Sequence, residues 1–218
     1  LNEEPFIQLV QDTPQQSLAN IVIGLDSIPD IKEPQNVQQM AFVDVNDCNG
    51  IERFSNVQQL SFRAAVWLTD LSPLSSLSKL HHLNLQRSRR LEDLSPLAQC
   101  GALRWLNIQN CERIQSLEAL RPLGKLEYLN AYRLPLIEDL SPLENLLSLK
   151  ELYFSRCRVL TDLGPLSNIH TLEALVLANC EQIEDISPLA QMNNLCELDL
   201  DGCLKVEDLS PLSTLHTL

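Results

Sequence analysis

Cysteine is the residue type in this sequence best suited to hold a metal or act as a nucleophile. Seven cysteines are present, and five of them recur in a regular pattern: Cys48, Cys111, Cys157, Cys180 and Cys203. Zinc sites use closely spaced ligands that converge on the ion, such as CxxC pairs, and the chain contains no CxxC. Thiols repeated at a fixed interval project in one direction instead. We predict that all seven are free thiols, that these five lie inside the fold, that Cys196 faces solvent, and that no metal is bound.

Histidines and carboxylates are the other candidates for catalysis. None of the four histidines has a carboxylate or cysteine at catalytic spacing. Paired acids recur at 92–93, 138–139, 184–185 and 207–208, each directly before a Leu-Ser-Pro or Ile-Ser-Pro turn. Because aspartate before a turn can accept backbone N–H bonds, this recurrence favours capping and solubility over calcium binding or acid–base chemistry. No nucleophile elbow, phosphate-binding loop or dinucleotide fingerprint occurs. We therefore expect no enzyme activity, no cofactor and no small-molecule substrate.

The elements that position these residues follow from an internal repeat. Leucine accounts for 45 of the 218 residues, and apolar residues recur every 23 positions. Each unit reads LxxLxLxxCxxLxDLSPLxxLxx, and seven complete units run from 57 to 217. The first positions of successive units are Val57, Leu80, Leu103, Leu126, Leu149, Leu172, Leu195 and Leu218. Such a period is the signature of a repeat architecture.

The N-terminal part departs from this period. Residues 40–56 match the first half of a shorter unit beginning at Met40, and Leu18, Ile21 and Ile23 suggest a worn unit before it. We therefore divide the chain into residues 1–36, an irregular N-terminal cap or decayed repeat, and an array over 37–218. A separate small domain is the alternative for residues 1–36. Because Leu218 is the first residue of another unit, we expect the C-terminal cap to be absent.

The pattern within a unit predicts its local structure. In LxxLxL the fourth and sixth positions alternate inward with period 2, as a half-buried strand requires. Ser95-Pro96 and Ser187-Pro188 place a hydroxyl before a proline, which is typical of a capped helical turn. A single unit cannot bury its own leucines, so stacked units are expected to form a curved parallel sheet.

The repeat resembles the leucine-rich repeat family, in particular the short class of bacterial internalins and protein-phosphatase-1 regulatory subunits. The cysteine and DLSPL positions are also similar to those of kinetoplastid leucine-rich repeat regulatory proteins. The resemblance covers about residues 40–218. It implies an α/β solenoid with a parallel sheet on the concave face and short 3₁₀ or helical turns on the convex face.

The concave face is the surface on which we expect a protein partner to bind. If positions three, five, seven and eight project from it, aromatic and arginine side chains cluster there, and these residue types dominate interface hot spots. Cross-strand packing is an alternative reason for aromatics on strands. The predicted partner-binding residues are Phe42, Arg63, His82, Arg87, Trp105, Tyr128, Tyr132, Arg133, Tyr153 and Arg156.

Charge and composition favour a protein-interaction module, such as a scaffold or adaptor, over other functions. The net charge of −13 opposes a nucleic-acid partner, although arginine with aromatics keeps that alternative open. Further alternatives are the substrate-recognition part of a ubiquitin ligase and an extracellular adhesion or recognition receptor. The free thiols favour a reducing, cytoplasmic location, and no apolar stretch is long enough to span a membrane.

Overall fold

The computed structural model describes residues 21–24, 28, 30 and 32–218, and this part of the chain forms one nine-stranded sheet. Leu18, which we assigned to a worn repeat, lies outside the described residues. The strands are β1 (Ile21–Gly24), β2 (Gln39–Val43), β3 (Gln59–Arg63), β4 (His82–Asn84), β5 (Trp105–Asn107), β6 (Tyr128–Asn130), β7 (Glu151–Tyr153), β8 (Ala174–Val176) and β9 (Glu197–Asp199).

The strands lie side by side in chain order, and every pair is parallel. From β3 onward the register joins the same repeat position in successive units, for example Leu83 to Leu106 and Asn84 to Asn107. This is the arrangement expected when each unit contributes one strand and then returns to start the next. The predicted parallel sheet is confirmed.

Alternation along each strand separates the core from the outer face. Leu83 and Leu85 are completely buried, whereas His82, which precedes Leu83, and Asn84, which lies between the two leucines, are half-buried. In the neighbouring units the residues at positions four and six are also buried, so leucines at position four and mixed apolar side chains at position six form continuous buried rows. We use the name strand face for the side chains at positions three, five and seven, which point away from this core.

Short 3₁₀ helices line the opposite side of the array. Aspartate two residues ahead of the serine stabilises their start: in one unit the Asp139 carboxylate accepts the Ser141 N–H at 2.7 Å and the Ser141 hydroxyl at 2.8 Å. The predicted backbone bond to aspartate is confirmed, but the serine hydroxyl donates to aspartate and does not cap the helix. The segments are Pro34–Asn36, Ile51–Arg53, Ser72–Ser76, Ser95–Gln99, Glu118–Leu120, Ser141–Leu143, Gly164–Leu166, Ser187–Gln191 and Ser210–Thr214.

The short unit at the N-terminal end has a different register from the predicted one. Met40 pairs with Leu60, the fourth position of its unit, so the short unit begins at Val37 and not at Met40. Phe42 consequently occupies the sixth position, is fully buried and stacks on Phe62 with ring centres 5.4 Å apart. The prediction that Phe42 lies on the partner-binding face is therefore wrong.

The cysteines at position nine form a buried thiol row. The Cys111 thiol donates to the Leu85 carbonyl at 3.1 Å, and the Cys180 thiol donates to the Phe154 carbonyl at 3.1 Å, in each case the sixth position of the preceding unit. Cys157 and Cys203 follow the same pattern. The row therefore links neighbouring units through their backbones, as the repeat spacing indicated for these four cysteines. The assignment of Cys48 to the same row is wrong: in the short unit that begins at Val37 it occupies position twelve, and its thiol donates to the Asp70 carbonyl of the following unit at 3.2 Å.

Ser88 occupies position nine in the unit before Cys111, and its replacement by cysteine is expected to stabilise the protein. Ser88 is fully buried, and its hydroxyl has no hydrogen-bond partner among the described residues. The C–O bond of serine is shorter than the C–S bond of cysteine, so the hydroxyl extends less far from the backbone than a thiol does. Leaving such a group unsatisfied costs about 1–3 kcal/mol. Ser88→Cys should raise the free energy of unfolding by about 1 kcal/mol, measured by urea denaturation.

The matched control makes the opposite exchange. Cys111→Ser at the same repeat position should lower the free energy of unfolding, since the shorter side chain loses the Leu85 carbonyl. If Ser88→Cys and Cys111→Ser both destabilise the protein by similar amounts, the thiol row does not act as described.

Candidate functional site

Four rings form a continuous column across the strand face, which we call the ring column. The centres of His82 and Trp105 are 3.9 Å apart with the planes at 5°, and those of Trp105 and Tyr128 are 4.8 Å apart at 9°. Tyr128 then contacts Tyr153, with centres 5.5 Å apart and planes tilted by 40°. Offset and tilted ring pairs of this kind are favourable beyond the area they bury.

The sheet register builds the ring column. His82, Trp105 and Tyr128 all occupy position three, and the register pairs them directly on β4, β5 and β6. On β7 the third position is Glu151, and the column continues to Tyr153 at position five. The Tyr153 hydroxyl donates to the Glu151 carboxylate at 3.0 Å, so the acid fixes the ring that ends the column.

The ring column is amphipathic and only partly covered. All four rings are half-buried, because their faces lie against one another while their edges reach solvent. Burial, together with the neighbouring His81 charge, lowers the pKa of His82 to about 4, so this imidazole is neutral at pH 7. At neutral pH the column therefore presents uncharged rings with polar atoms, which suits contact with a protein surface.

Asparagines at position five have a structural role that sequence analysis did not assign. Asn84, Asn107 and Asn130 each accept, through Oδ1, the backbone N–H two residues further on, at 2.9–3.0 Å. Side-chain bonds of this type satisfy the backbone where the chain leaves the strand. The asparagine row therefore shapes the turn beside the ring column.

Arginines follow the asparagines at position eight, where the chain turns away from the sheet. Arg87, Arg133 and Arg156 have positive φ angles of 66°, 58° and 60° and are exposed. The Arg156 guanidinium lies 5.9 Å from the centre of the Tyr132 ring, and Arg133 pairs with Glu112 at 3.3 Å. These contacts join the arginines and Tyr132 to the strand face.

The structure thus brings together most of the predicted partner-binding residues. His82, Trp105, Tyr128 and Tyr153 form one stack, and Tyr132 lies beside Arg156. Arg63 is exposed at the end of β3, nearer the N-terminal side of the array. Whether these residues contact a partner stays a prediction.

A second aromatic contact was missed from the sequence. Trp67 is 53% exposed, and the Arg90 guanidinium lies 3.7 Å from the centre of its ring. The two residues are 23 positions apart, at position eleven of successive units. The repeat period alone could therefore have predicted that they lie next to each other. This contact lies in the loops that follow the strands, outside the strand face.

The described residues contain no metal-binding cluster. No group of three or more His, Cys, Asp or Glu side chains in this part of the chain could hold an ion. Burial raises the pKa of Cys100 to about 11 and that of Cys111 to about 12, which keeps them protonated at neutral pH. In the same described part, no helix is long and apolar enough to cross a membrane.

Comparison with known proteins supports the architecture. No family model and no curated protein matches the sequence. Among solved structures, the chain is similar to internalin C2 from Listeria monocytogenes, with 27% identity, a TM-score of 0.73, and coverage of 85% of this chain and 80% of that one. The internalin inlF from the same organism is 23% identical over 100% of this chain and 75% of its own, with a TM-score of 0.48.

Stacked parallel strands, one per unit, with 3₁₀ turns on the opposite side define a repeat solenoid. The fold is that of the leucine-rich repeat proteins, and its likeness to internalin C2 confirms the predicted class.

Thiol labelling provides a direct test of the cysteine assignment. All seven cysteines are free, six are buried and Cys196 is exposed. Without reductant, we expect one rapidly labelled thiol in the native protein and seven after denaturation, measured with a chromogenic thiol reagent. Fewer than seven thiols after denaturation, or stoichiometric zinc in elemental analysis, would contradict the assignment.

Proposed function

We propose that this protein is a non-catalytic protein-interaction module that binds a protein partner through its strand face. The observation that carries the proposal is the ring column, with its stacked faces and solvent-facing edges. Partly exposed aromatic rings bury a large area with few rotatable bonds, and aromatics and arginines are enriched among hot-spot residues. The adjacent arginines add directional donors at the rim.

Ring orientation favours a protein over a nucleic acid. Single-stranded nucleic acids bind such surfaces by stacking bases on open ring faces. In the ring column the faces of Trp105 lie against His82 on one side and Tyr128 on the other. A base would have to displace a neighbouring ring, and the net charge of −13 would oppose its phosphates.

The thiol row supports a reducing location for this function. Its thiols donate to carbonyls of neighbouring units, and a disulfide or oxidised sulfur could not make those bonds. We therefore propose that the module acts in the cytoplasm, as a scaffold, adaptor or recognition part of a larger regulatory protein.

The test compares ring variants with variants of the acidic turns. For a protein captured on the immobilised chain and then purified, truncation of a hot-spot ring should weaken binding by about 1–3 kcal/mol, measured by calorimetric titration. The variants are Trp105→Ala, Tyr128→Ala, Tyr132→Ala and Tyr153→Ala. Each removes a ring that contacts a neighbour or the rim, so circular dichroism must first show native structure.

Matched controls are Glu138→Ala and Glu184→Ala, which remove exposed carboxylates on the turns. Their affinity should equal that of the unaltered chain. Unchanged affinity for all four ring variants, together with a loss from the turn variants or from deletion of residues 1–36, would place the binding surface elsewhere.

A further inference from the structure

The arginines at position eight occupy a backbone conformation that does not favour arginine. We call Arg87, Arg133 and Arg156 the arginine row. Their positive φ angles lie in the left-handed region, where a side chain crowds the following carbonyl and where glycine and asparagine are best tolerated. The other units place shorter residues at this same position, namely Asp44, Ala64, Asn110, Asn179 and Gly202. Local backbone geometry therefore does not explain the arginines.

Residues held in unfavourable conformations are concentrated at functional sites, where another interaction compensates for the strain. For the arginine row the backbone supplies that compensation, because the N–H groups of Arg87, Arg133 and Arg156 each donate to a carbonyl of the next unit at 2.8 Å. All three side chains are exposed. Arg87 forms no ion pair within the described part of the chain, and Arg133 has only its 3.3 Å contact with Glu112. The fold therefore accounts for the turn, and the exposed guanidinium groups are the atoms that a ligand can contact.

The residues around the arginine row are basic, although the molecule as a whole is acidic. Positions seven to eleven of the five units from 57 to 171 carry eight basic residues and one acid, Glu112, in a chain of net charge −13. All eight are arginines: Arg63, Arg87, Arg89, Arg90, Arg113, Arg133, Arg156 and Arg158. Arg89 and Arg158 are exposed and, in the residues described, form no ion pair. Arg113 pairs with Glu92 and Arg133 with Glu112, so the protein's own carboxylates neutralise part of this edge and leave the rest without a counter-charge.

The use of arginine without lysine indicates the chemistry of the ligand. Guanidinium presents a planar fork that binds a carboxylate through two parallel hydrogen bonds, whereas ammonium acts as a point charge. Neighbouring strands are about 4.8 Å apart, so Arg133 and Arg156 stand next to each other at the end of β6 and β7. Successive carboxylates of one extended segment could therefore meet successive arginines.

We propose that the arginine row binds an acidic segment of the protein partner, with aspartate or glutamate carboxylates held by Arg87, Arg133 and Arg156. The contact of Arg156 with Tyr132 makes this row continuous with the strand face. The proposal rests on the proposed function and adds the chemistry of the segment that lies at the rim of the ring column.

The test uses fluorescein-labelled decaglutamate as the probe and fluorescence anisotropy as the measurement. The variant Arg87→Asn, Arg133→Asn, Arg156→Asn replaces the row with a residue that suits positive φ, so the urea midpoint should be unchanged or higher. The control Arg104→Gln, Lys125→Gln, Lys150→Gln makes the same change in net charge at other repeat positions. We expect the control to bind within about twofold of the unaltered chain and the arginine-row variant at least about tenfold more weakly.

Three results would overturn the proposal. They are no binding of decaglutamate by the unaltered chain, an equal loss in the control, or tighter binding of a labelled single-stranded DNA decamer through the same arginines. If the row variant instead proves unstable, Arg87→Lys, Arg133→Lys, Arg156→Lys replaces it, and full affinity for decaglutamate would contradict bidentate recognition.

Titration with the purified partner separates this proposal from the proposed function. If the ring variants lose affinity and the arginine-row variant does not, the arginine row is wrong and the interaction module stands. If neither set loses affinity, both are wrong.

Discussion

No single repeat of this protein can bury its own leucines, and the rest of the structure depends on that constraint. Leu83 is completely buried only because Leu106 and the neighbouring units cover it. Stacking therefore has to keep equivalent positions adjacent, and the parallel register does so from β3 to β9. Stability in such an array comes from interfaces between neighbours more than from any one unit.

The same register brings equivalent repeat positions together, so several positions form rows of one chemical kind over part of the array. Position nine provides four thiols bonded to carbonyls, and position five provides three asparagines that complete the turns after β4, β5 and β6. Position three becomes the ring column over three strands. A residue of a different type at one of these positions has a local effect. At position nine, Ser88 has a hydroxyl without a hydrogen-bond partner among the described residues. At position three, Glu151 replaces a ring, and the ring column ends at Tyr153 instead.

Much of this architecture was predictable because side-chain alternation and the 23-residue period are written directly in the sequence. The burial of Leu83 and Leu85 and the shared face of Trp105 and Tyr128 follow from those two rules alone. Phe42 was misplaced because the short unit breaks the period, and apolar letters alone could not fix its register. The left-handed turn at Arg87 was hidden as well, since arginine does not signal that conformation. Trp67 and Arg90 could have been paired from their spacing.

Hydroxyl-radical footprinting of the partner-bound protein tests the central claim, that the strand face is the binding surface. Oxidation of Trp105 and Tyr128 reports on the ring column, while exposed His170 and Leu147, on the segments that lead into the strands, serve as internal controls. The account predicts that partner binding protects Trp105 and Tyr128 and leaves His170 and Leu147 unchanged. Protection of the controls with unchanged oxidation of both rings would contradict it.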